Sequence, residues 1–334
     1  MAKTLHDQFW YICDKKIIND SSPIYSTKRE ILMIISVVVP LYNEQECLPT
    51  FINSLLLALD NCGVDFEIIC VDDGSTDNSC KIINDFSALH SAIHLISFTR
   101  NFGHQSALTA GFHSAIGDAI ICLDADGQHP PELIPEMIER WKKGAKIVQT
   151  IRISTDGEGV LKKVCSKLFY FVFKKLCSLD LHEGSADFRL VDREVLKPLL
   201  TLKEPPFWRA MSVWAGFPLE EIRFKSPMRI GGMAKYNFGK NLIMMLDAIF
   251  GYSKTPIYML WALSLMAIFL GIISLVDAIQ AICRGVSVRG WTSQMIVSGF
   301  LGGATIACLA TIATYIERIH RIVMNRPHYI VKKK

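Results

Sequence analysis

The chain of 334 residues lacks several features that would assign it to a familiar class of protein. None of its ten cysteines forms a Cys-x-x-Cys pair, and several lie inside apolar runs, which favours buried thiols over a zinc site or a disulfide framework. The segment from Met1 to Trp10 has no apolar core and is not a signal peptide. We therefore expect the first large domain to remain in the cytosol.

A strong excess of charge and a dinucleotide-binding motif are also missing. The formal net charge is only +4, which gives no indication of a nucleic-acid partner. No Gly-x-Gly-x-x-Gly motif follows the first apolar strand, where Pro40-Leu41-Tyr42-Asn43-Glu44 stands instead, and this argues against a dinucleotide-dependent oxidoreductase. What the chain has in abundance is apolar residues, at 50%, which indicates that part of its surface faces lipid.

Apolar runs alternate with segments of helical spacing from Ile34 onward. This alternation predicts an α/β fold with a mostly parallel sheet, in which ligands bind at the carboxyl ends of the strands. Residues 1–33 before it are predicted to be an extension with little fixed structure. The predicted strands cover 34–39, 66–71, 92–98, 119–123 and 145–151, with an edge strand at 219–224, and predicted helices include 44–59, 104–116 and 131–142.

Two carboxylates follow the strand predicted at 119–123. Asp124 and Asp126 are one residue apart, so in an extended chain they point to the same side and can converge on one cation. Gln128 adds a side-chain oxygen, and oxygen ligands of this kind suit Mg²⁺ or Mn²⁺. Taken alone, the pair could equally be turn chemistry before Gly127.

The last third of the chain is predicted to meet the membrane. Residues 237–253 have the pattern of an amphipathic interfacial helix, with an ordinary core-facing helix as the alternative. Residues 257–281 and 292–316 are nearly all apolar, and each is long enough to cross roughly 30 Å of hydrocarbon at about 1.5 Å per residue. The short connection predicts a transmembrane hairpin, which returns the basic tail, 317–334, to the side of the first domain.

These features predict a multi-pass protein of the inner, cytoplasmic membrane, with the first domain and both termini in the cytoplasm. Small residues in the second apolar run, such as Gly299 and Gly303, favour close contact between helices, and we expect a homo-oligomer.

Four motifs occur in order along the chain. They are Val39-Pro40-Leu41-Tyr42-Asn43-Glu44, Val71-Asp72-Asp73-Gly74-Ser75, Asp124-Ala125-Asp126-Gly127-Gln128 and Arg229-Ile230-Gly231-Gly232-Met233-Ala234-Lys235-Tyr236. Together with the hairpin they resemble the family 2 inverting glycosyltransferases of GT-A (Rossmann-like) fold. Among these, the chain looks like the polyprenyl-phosphate glycosyltransferases, such as bactoprenol glucosyltransferases and dolichyl-phosphate mannose synthases. The resemblance covers about residues 34 to 330, with the GT-A domain at 34–236.

The resemblance implies roles for individual residues. Asp124, Asp126 and Gln128 would hold Mg²⁺ or Mn²⁺, and Asp72 would hold the nucleotide base. The implied catalytic residues are Asp187, Asp126, Arg229 and Lys235, with Asp187 at the position proposed for a catalytic base. The implied nucleotide-sugar site comprises Pro40, Tyr42, Glu44, Cys70, Asp72, Asp124, Ala125, Asp126, Gln128, Arg152, Arg229 and Lys235.

The chemistry of the implied acceptor argues against a base at Asp187. A phosphate monoester has a second pKa near 6 and is mostly a dianion at neutral pH, so a base has little to remove. We hypothesise instead that Asp187 orients the acceptor or the sugar. A further departure from the family pattern is Ala234, which stands where a Ser or Thr usually precedes the lysine.

The predicted reaction is the transfer of glucose from UDP-glucose to undecaprenyl phosphate at the cytoplasmic membrane face, with inversion. The alternatives are transfer from GDP-mannose to dolichyl phosphate, or a UDP-aminoarabinose or GlcNAc-type donor. A processive polysaccharide synthase is disfavoured because its usual Gln-x-x-Arg-Trp motif and additional spans are missing. A catalytically silent membrane scaffold is disfavoured because Asp124, Asp126, Arg229 and Lys235 are all present.

Overall fold

The structure, a computed structural model, describes residues 33–153, 182, 184–202, 207–226, 253, 255–285 and 290–332. Its first part alternates strands and helices, and its last part consists of two long helices. In chain order the elements are β1 Ile34–Leu41, α1 Leu48–Asp60, β2 Asp65–Asp72, α2 Ser79–Leu89, β3 Ile93–Ser97, α3 His104–Ser114, β4 Ala119–Cys122, a 3₁₀ turn Pro131–Leu133, α4 Ile134–Lys142, β5 Ile147–Arg152, β6 Ser185–Asp192, α5 Arg193–Leu199, α6 Trp208–Trp214, β7 Leu219–Phe224, α7 Thr255–Cys283 and α8 Trp291–Met324.

The seven strands form one mixed sheet in the order β3-β2-β1-β4-β6-β5-β7. Pairing is parallel except around β6, which runs antiparallel to both β4 and β5. The predicted α/β fold with a mostly parallel sheet is confirmed, and β7 lies at the edge of the sheet as predicted. The antiparallel strand β6 was not predicted, because its sequence was interpreted only as a motif that precedes a short helix.

Both faces of the sheet are buried, as expected of a parallel α/β sheet. Alternate side chains of β1 enter different cores: Val37 packs on the side of α1, whereas Val38 packs on the side of α3. Gly111 allows α3 to approach the sheet, since a Cβ atom placed there would lie only 2.2 Å from Cγ1 of Val38. Helix α3 thus packs closely on β1 through Gly111.

The two C-terminal helices are long and apolar enough to cross a membrane over Thr255–Asp277 and Val297–Met324. They overlap the spans predicted at 257–281 and 292–316. Helix α8 continues beyond the second predicted span, so residues 317–324 of the predicted tail are helical. Apart from Met33 and Ser253, the predicted N-terminal extension and interfacial helix lie outside the described residues.

Candidate active site

An open cleft of about 610 Å³ lies at the carboxyl ends of the parallel strands β1, β2 and β4. This volume is typical of a site for a small molecule or cofactor. The location agrees with the rule that ligands of parallel α/β sheets bind beyond the carboxyl ends of the strands. The cleft is lined by Pro40, Leu41, Tyr42, Glu44, Asp73, Asn101, Gly103, His104, Ala107, Asp124, Ala125, Asp126 and Asp187.

The antiparallel direction of β6 explains how Asp187 reaches this cleft. Because β6 runs against β4, its first residues lie beside the carboxyl end of β4, where Arg189 pairs with Cys122. Asp187 therefore lies next to the segment that carries Asp124 and Asp126, although more than sixty residues separate them in sequence. In addition, the thiol of Cys122 donates to the backbone carbonyl of Asp187 over 3.0 Å.

The predicted carboxylate pair, Asp124 and Asp126, lies together on the wall of the cleft. Gly127 turns the chain here with φ of +76°, a conformation that is unfavourable for residues with a side chain. The backbone N–H of Asp124 donates to Nδ1 of His129 over 3.0 Å, and that of Gln128 donates to Oδ1 of Asp126 over 3.0 Å. His129 is buried beneath the turn.

Three further predicted residues, Gln128, Arg152 and Cys70, do not line the cleft. The side-chain oxygen of Gln128 accepts from Nη2 of Arg152 over 3.4 Å, and neither residue lines the cleft. Cys70 is fully buried within β2, where burial raises the pKa of its thiol to about 12. Any contact between Cys70 and a nucleotide would therefore use its backbone, as the resemblance implied.

The two acidic residues after β2 have different surroundings. Asp72 is buried, and its carboxylate accepts from the backbone N–H of Ser75 over 3.0 Å and from the thiol of Cys80 over 2.8 Å. Asp73 lines the cleft and accepts from the backbone N–H groups of Phe102 over 2.6 Å and Gly103 over 2.9 Å. Burial raises the pKa of Asp73, although these two N–H groups favour its ionised form.

Asp187 is held by two arginines. Nη2 of Arg189 lies 2.5 Å from Oδ1 of Asp187, and Nη2 of Arg209 lies 2.6 Å from Oδ2. Burial by itself would raise the pKa of this carboxyl, but Arg209, His104 and Arg189 hold it well below its usual range. A carboxylate stabilised in this way is a weak base, which is the behaviour expected of a positioning residue.

His104 stands between two of the acids. Its Nε2 lies 3.7 Å from Oδ1 of Asp124 and 3.7 Å from Oδ2 of Asp187. Enclosure in the cleft favours the neutral ring, but these carboxylates outweigh it and raise the pKa of His104 to about 9. His104 lies on the wall of the cleft.

The charge of the cleft wall indicates a need for cations. Among the described lining residues, five are carboxylic acids and only His104 is basic. No group of three or more His, Cys, Asp and Glu side chains converges as a metal site within the described parts of the chain. Asp124 and Asp126 alone suit Mg²⁺ or Mn²⁺, since such ions commonly bind one or two carboxylates plus substrate phosphates.

Other arginine and lysine side chains do not line the described wall of the cleft. Arg229 and Lys235 lie outside the described residues. The guanidinium of Arg193 donates to the carbonyls of Gly117 over 2.5 Å and Ala115 over 2.6 Å. Arg209 was not singled out from the sequence, since no motif marks it.

Comparison with known proteins assigns the chain to a family. Residues 36–200 match the family described as Glycosyl transferase family 2. The SfII prophage-derived bactoprenol glucosyl transferase of Shigella flexneri is 34% identical over 306 residues, which cover 90% of this chain and 98% of that protein. The chain belongs to glycosyltransferase family 2. It is therefore an enzyme that transfers a sugar, and the predicted GT-A class of fold is confirmed.

One further relative and one solved structure are also similar to the chain. The uncharacterized glycosyltransferase YkcC of Bacillus subtilis is 34% identical over 300 residues, which cover 89% of this chain and 93% of that protein. Among solved structures, S. aureus TarS 1-349 in complex with UDP-GlcNAc aligns with a TM-score of 0.46 and 17% identity, over 66% of each chain. The latter likeness is distant.

Proposed function

We propose that this family 2 glycosyltransferase moves one sugar from a nucleoside diphosphate to a polyprenyl phosphate, with inversion at the anomeric carbon. UDP-glucose and undecaprenyl phosphate are the first choice of substrates. The main observation in support of this proposal is that one chain combines the acidic cleft around Asp124 and Asp126 with two apolar helices long enough to cross a membrane. Similarity to bactoprenol glucosyl transferases over 90% of the chain supports the lipid acceptor.

The arrangement of the C-terminal helices supports a reaction at the membrane surface. Helix α8 ends at Met324, and Val331 pairs with Phe98 beside β3. Seven residues span at most about 25 Å, so the sheet lies near the end of a helix that we propose crosses the membrane. The basic residues Arg318 and Arg321 near this end favour the cytoplasmic side.

A divalent cation, Mg²⁺ or Mn²⁺, fits the donor set of the cleft. Asp124 and Asp126 would hold it, with Gln128 as a further predicted ligand. When bound, such an ion neutralises charge on the diphosphate leaving group. The described wall carries five carboxylic acids and one basic residue, so a bound cation would reduce the repulsion between these carboxylates and a diphosphate.

In the proposed reaction, an oxygen of the acceptor phosphate attacks the anomeric carbon from the face opposite the nucleotide. The bond between that carbon and the diphosphate oxygen breaks, and a nucleoside diphosphate leaves. Arg152, Arg229 and Lys235 are predicted to neutralise the phosphates, as fixed cations do at developing negative charge. Asp187 does not take a proton in this scheme; it fixes the guanidinium groups of Arg189 and Arg209.

Other substrates remain as alternatives within the same proposal. GDP-mannose with dolichyl phosphate, or a UDP-aminoarabinose or GlcNAc-type donor, would use the same metal-binding pair and the same attack by phosphate. The proposal includes a homo-oligomer in the inner membrane, with the catalytic domain and both termini on the cytoplasmic side. A catalytically silent scaffold would neither hydrolyse nor transfer a nucleotide sugar in the presence of Mg²⁺ or Mn²⁺.

A donor panel tests the proposal. Membranes that contain the protein are incubated with undecaprenyl phosphate and, separately, labelled UDP-glucose, UDP-GlcNAc, UDP-aminoarabinose and GDP-mannose, with Mg²⁺ or Mn²⁺ present. We expect label to enter the chloroform phase with one donor, UDP-glucose first, and not in membranes that carry Asp124→Asn. Chloroform-soluble label from none of the four would overturn the proposal.

A further inference from the structure

The chain that follows α8 returns to the catalytic sheet. Residues 329–332, which we name the C-terminal strap, lie beside the end of β3. Val331 forms an antiparallel bridge with Phe98. The backbone N–H of Thr99 donates to the carbonyl of Ile330 over 3.0 Å. The strap thus pairs with the chain that directly follows β3, the strand at one edge of the sheet.

An aromatic chain connects the strap to the wall of the cleft. The ring of Tyr329 stacks on that of Phe98, with centroids 5.0 Å apart and planes 12° apart. Phe98 in turn meets the ring of Phe102 edge to face at 5.7 Å. The backbone N–H groups of Phe102 and Gly103 both donate to the carboxylate of Asp73, which lines the cleft. Tyr329 therefore supports the residues that fix an acidic side chain of the site.

A second set of contacts leads from the strap to Asp72. The backbone N–H of Lys332 donates to the carbonyl of Ser97 over 2.7 Å. The hydroxyl of Ser97 lies 3.4 Å from the thiol of Cys80, and that thiol donates to the carboxylate of Asp72 over 2.8 Å. The strap is thus joined through β3 to both acidic residues that follow β2.

The strap is also tied closely to the second membrane-length helix. Asn325 ends α8 in the left-handed conformation, with φ of +45°. Tyr329 lies five residues after Met324, which limits the separation of their Cα atoms to about 18 Å. Movement of the helix end relative to the catalytic domain is therefore restricted by the strap.

We propose that the C-terminal strap positions the wall of the cleft. The affinity for the sugar donor then depends on the connection between the strap and helix α8. Tyr329 is a positioning residue in this proposal: it acts through Phe98 and Phe102 on Asp73 and does not touch substrate. The proposal rests on the proposed function for the identity of the donor. It assigns a task to a segment that no part of the transfer chemistry requires.

The first test separates donor binding from turnover. Full-length protein in lipid nanodiscs is assayed with varied UDP-glucose for wild type, Tyr329→Ala, Tyr329→Phe and Ile330→Ala. An aromatic stacking pair is worth enough to change affinity by about threefold to tenfold, so we expect the KM for donor to rise by that factor in Tyr329→Ala. We expect kcat to change by less than about twofold, because uniform binding is lost.

The variants Tyr329→Phe and Ile330→Ala serve as matched controls. Tyr329→Phe retains the stacked ring and should restore the wild-type KM. Ile330→Ala keeps the backbone bond to Thr99 and removes an exposed side chain, so its KM should also match the wild type. Equal KM values in wild type and Tyr329→Ala would overturn the proposal, as would a fall in kcat alone.

A second measurement needs no substrate. Amide hydrogen exchange of Phe102 and Gly103 should be faster in Tyr329→Ala than in wild type and Tyr329→Phe, while exchange in the core strand β1 stays the same. Unchanged exchange at these two amides would contradict the proposal. If the wild type transferred no sugar from any donor, the proposed function would fail, whereas the exchange result would still decide on the strap.

Discussion

Arg209 on α6 donates from Nη2 to Oδ2 of Asp187 on β6 over 2.6 Å. Arg189 binds the other carboxylate oxygen, so Asp187 is held between two guanidinium groups. These contacts keep the pKa of Asp187 well below its usual range, although burial acts in the opposite direction. Such a carboxylate stays ionised at neutral pH and has little tendency to accept a proton, so it suits positioning better than base catalysis.

The substitution Asp187→Asn tests this role. The amide keeps the shape of the side chain but leaves both arginines without their charge partner, so turnover should fall by about tenfold to a hundredfold. Since the depressed pKa of Asp187 lies below the assay range, raising the pH should not recover the lost rate. The measurement is the pH profile of kcat for both proteins. Recovery of the lost rate at high pH would show that Asp187 removes a proton.

The carboxylate pair is tested by Asp124→Asn and Asp126→Asn. If these residues hold a divalent ion at the leaving diphosphate, each substitution should reduce transfer by roughly 10²-fold or more. A chelator should abolish transfer by the wild type, and added Mg²⁺ or Mn²⁺ should restore it. The readout is the rate of sugar transfer to polyprenyl phosphate.

Asp118 offers a matched control for that experiment. It precedes β4 at the end opposite Asp124, where its carboxylate accepts from the backbone N–H of Ile34 over 3.1 Å. Asp118→Asn changes the same chemical group far from the cleft and should leave transfer near the wild-type rate. Metal-independent transfer with full activity in both Asp124→Asn and Asp126→Asn would contradict the assigned role.

Asp192 predicts a pH dependence of stability. Its carboxylate accepts from Nε1 of Trp141 over 2.8 Å, from the backbone N–H of Glu194 over 2.8 Å and from Nζ of Lys146 over 3.1 Å. Burial would raise the pKa of this carboxyl, but the three donors hold it below its usual range. At pH 7, Asp192→Asn should lower the free energy of unfolding by about 1–2 kcal/mol.

The sign of this effect follows from the depressed pKa. A group whose pKa is lower in the folded protein contributes stability above its unfolded value, near about 3.9, and that stability is lost as the pH falls through the folded value. Thermal unfolding of detergent-solubilised protein should therefore show a difference between wild type and Asp192→Asn that shrinks below about pH 4. A difference that persists undiminished at pH 3 would refute this origin.

Gly111 and Val38 form a pair whose coupling can be measured. In a helix interior Ala is favoured over Gly by about 1 kcal/mol, but here the added Cβ would lie 2.2 Å from Val38. Gly111→Ala should therefore destabilise the protein by about 1–3 kcal/mol. In unfolding experiments, the double variant with Val38→Ala should lose less stability than the sum of the losses in the two single variants. Additive effects of the two substitutions would mean that α3 does not press on β1 here.

Much of the fold was accessible from sequence because its signals are local. Runs of β-branched residues predicted β1, β2 and β3, and the apolar length of α7 and α8 predicted the spans. The pair Asp124 and Asp126 was predicted from the end of a buried strand, and it lies on the wall of the cleft.

The unpredicted features depend on contacts between distant parts of the chain. The position of β6 between β4 and β5 is set by pairing between strands far apart in sequence, which no local pattern encodes. The ion pair between Asp187 and Arg209 connects β6 to a separate helix, α6. The bridge between Val331 and Phe98 connects the strap to the chain after β3. Arg229 and Lys235, outside the described residues, remain predictions.

The most direct measurement uses purified protein in liposomes with UDP-[¹⁴C]glucose, Mg²⁺ or Mn²⁺, and one of two acceptors, undecaprenyl phosphate or undecaprenol. We predict labelled lipid with undecaprenyl phosphate only, no product from Asp124→Asn, and an anomeric configuration opposite to that of the donor. Transfer to undecaprenol, retention of configuration, or no transfer to undecaprenyl phosphate from UDP-glucose, GDP-mannose or the other donors would contradict the proposed function.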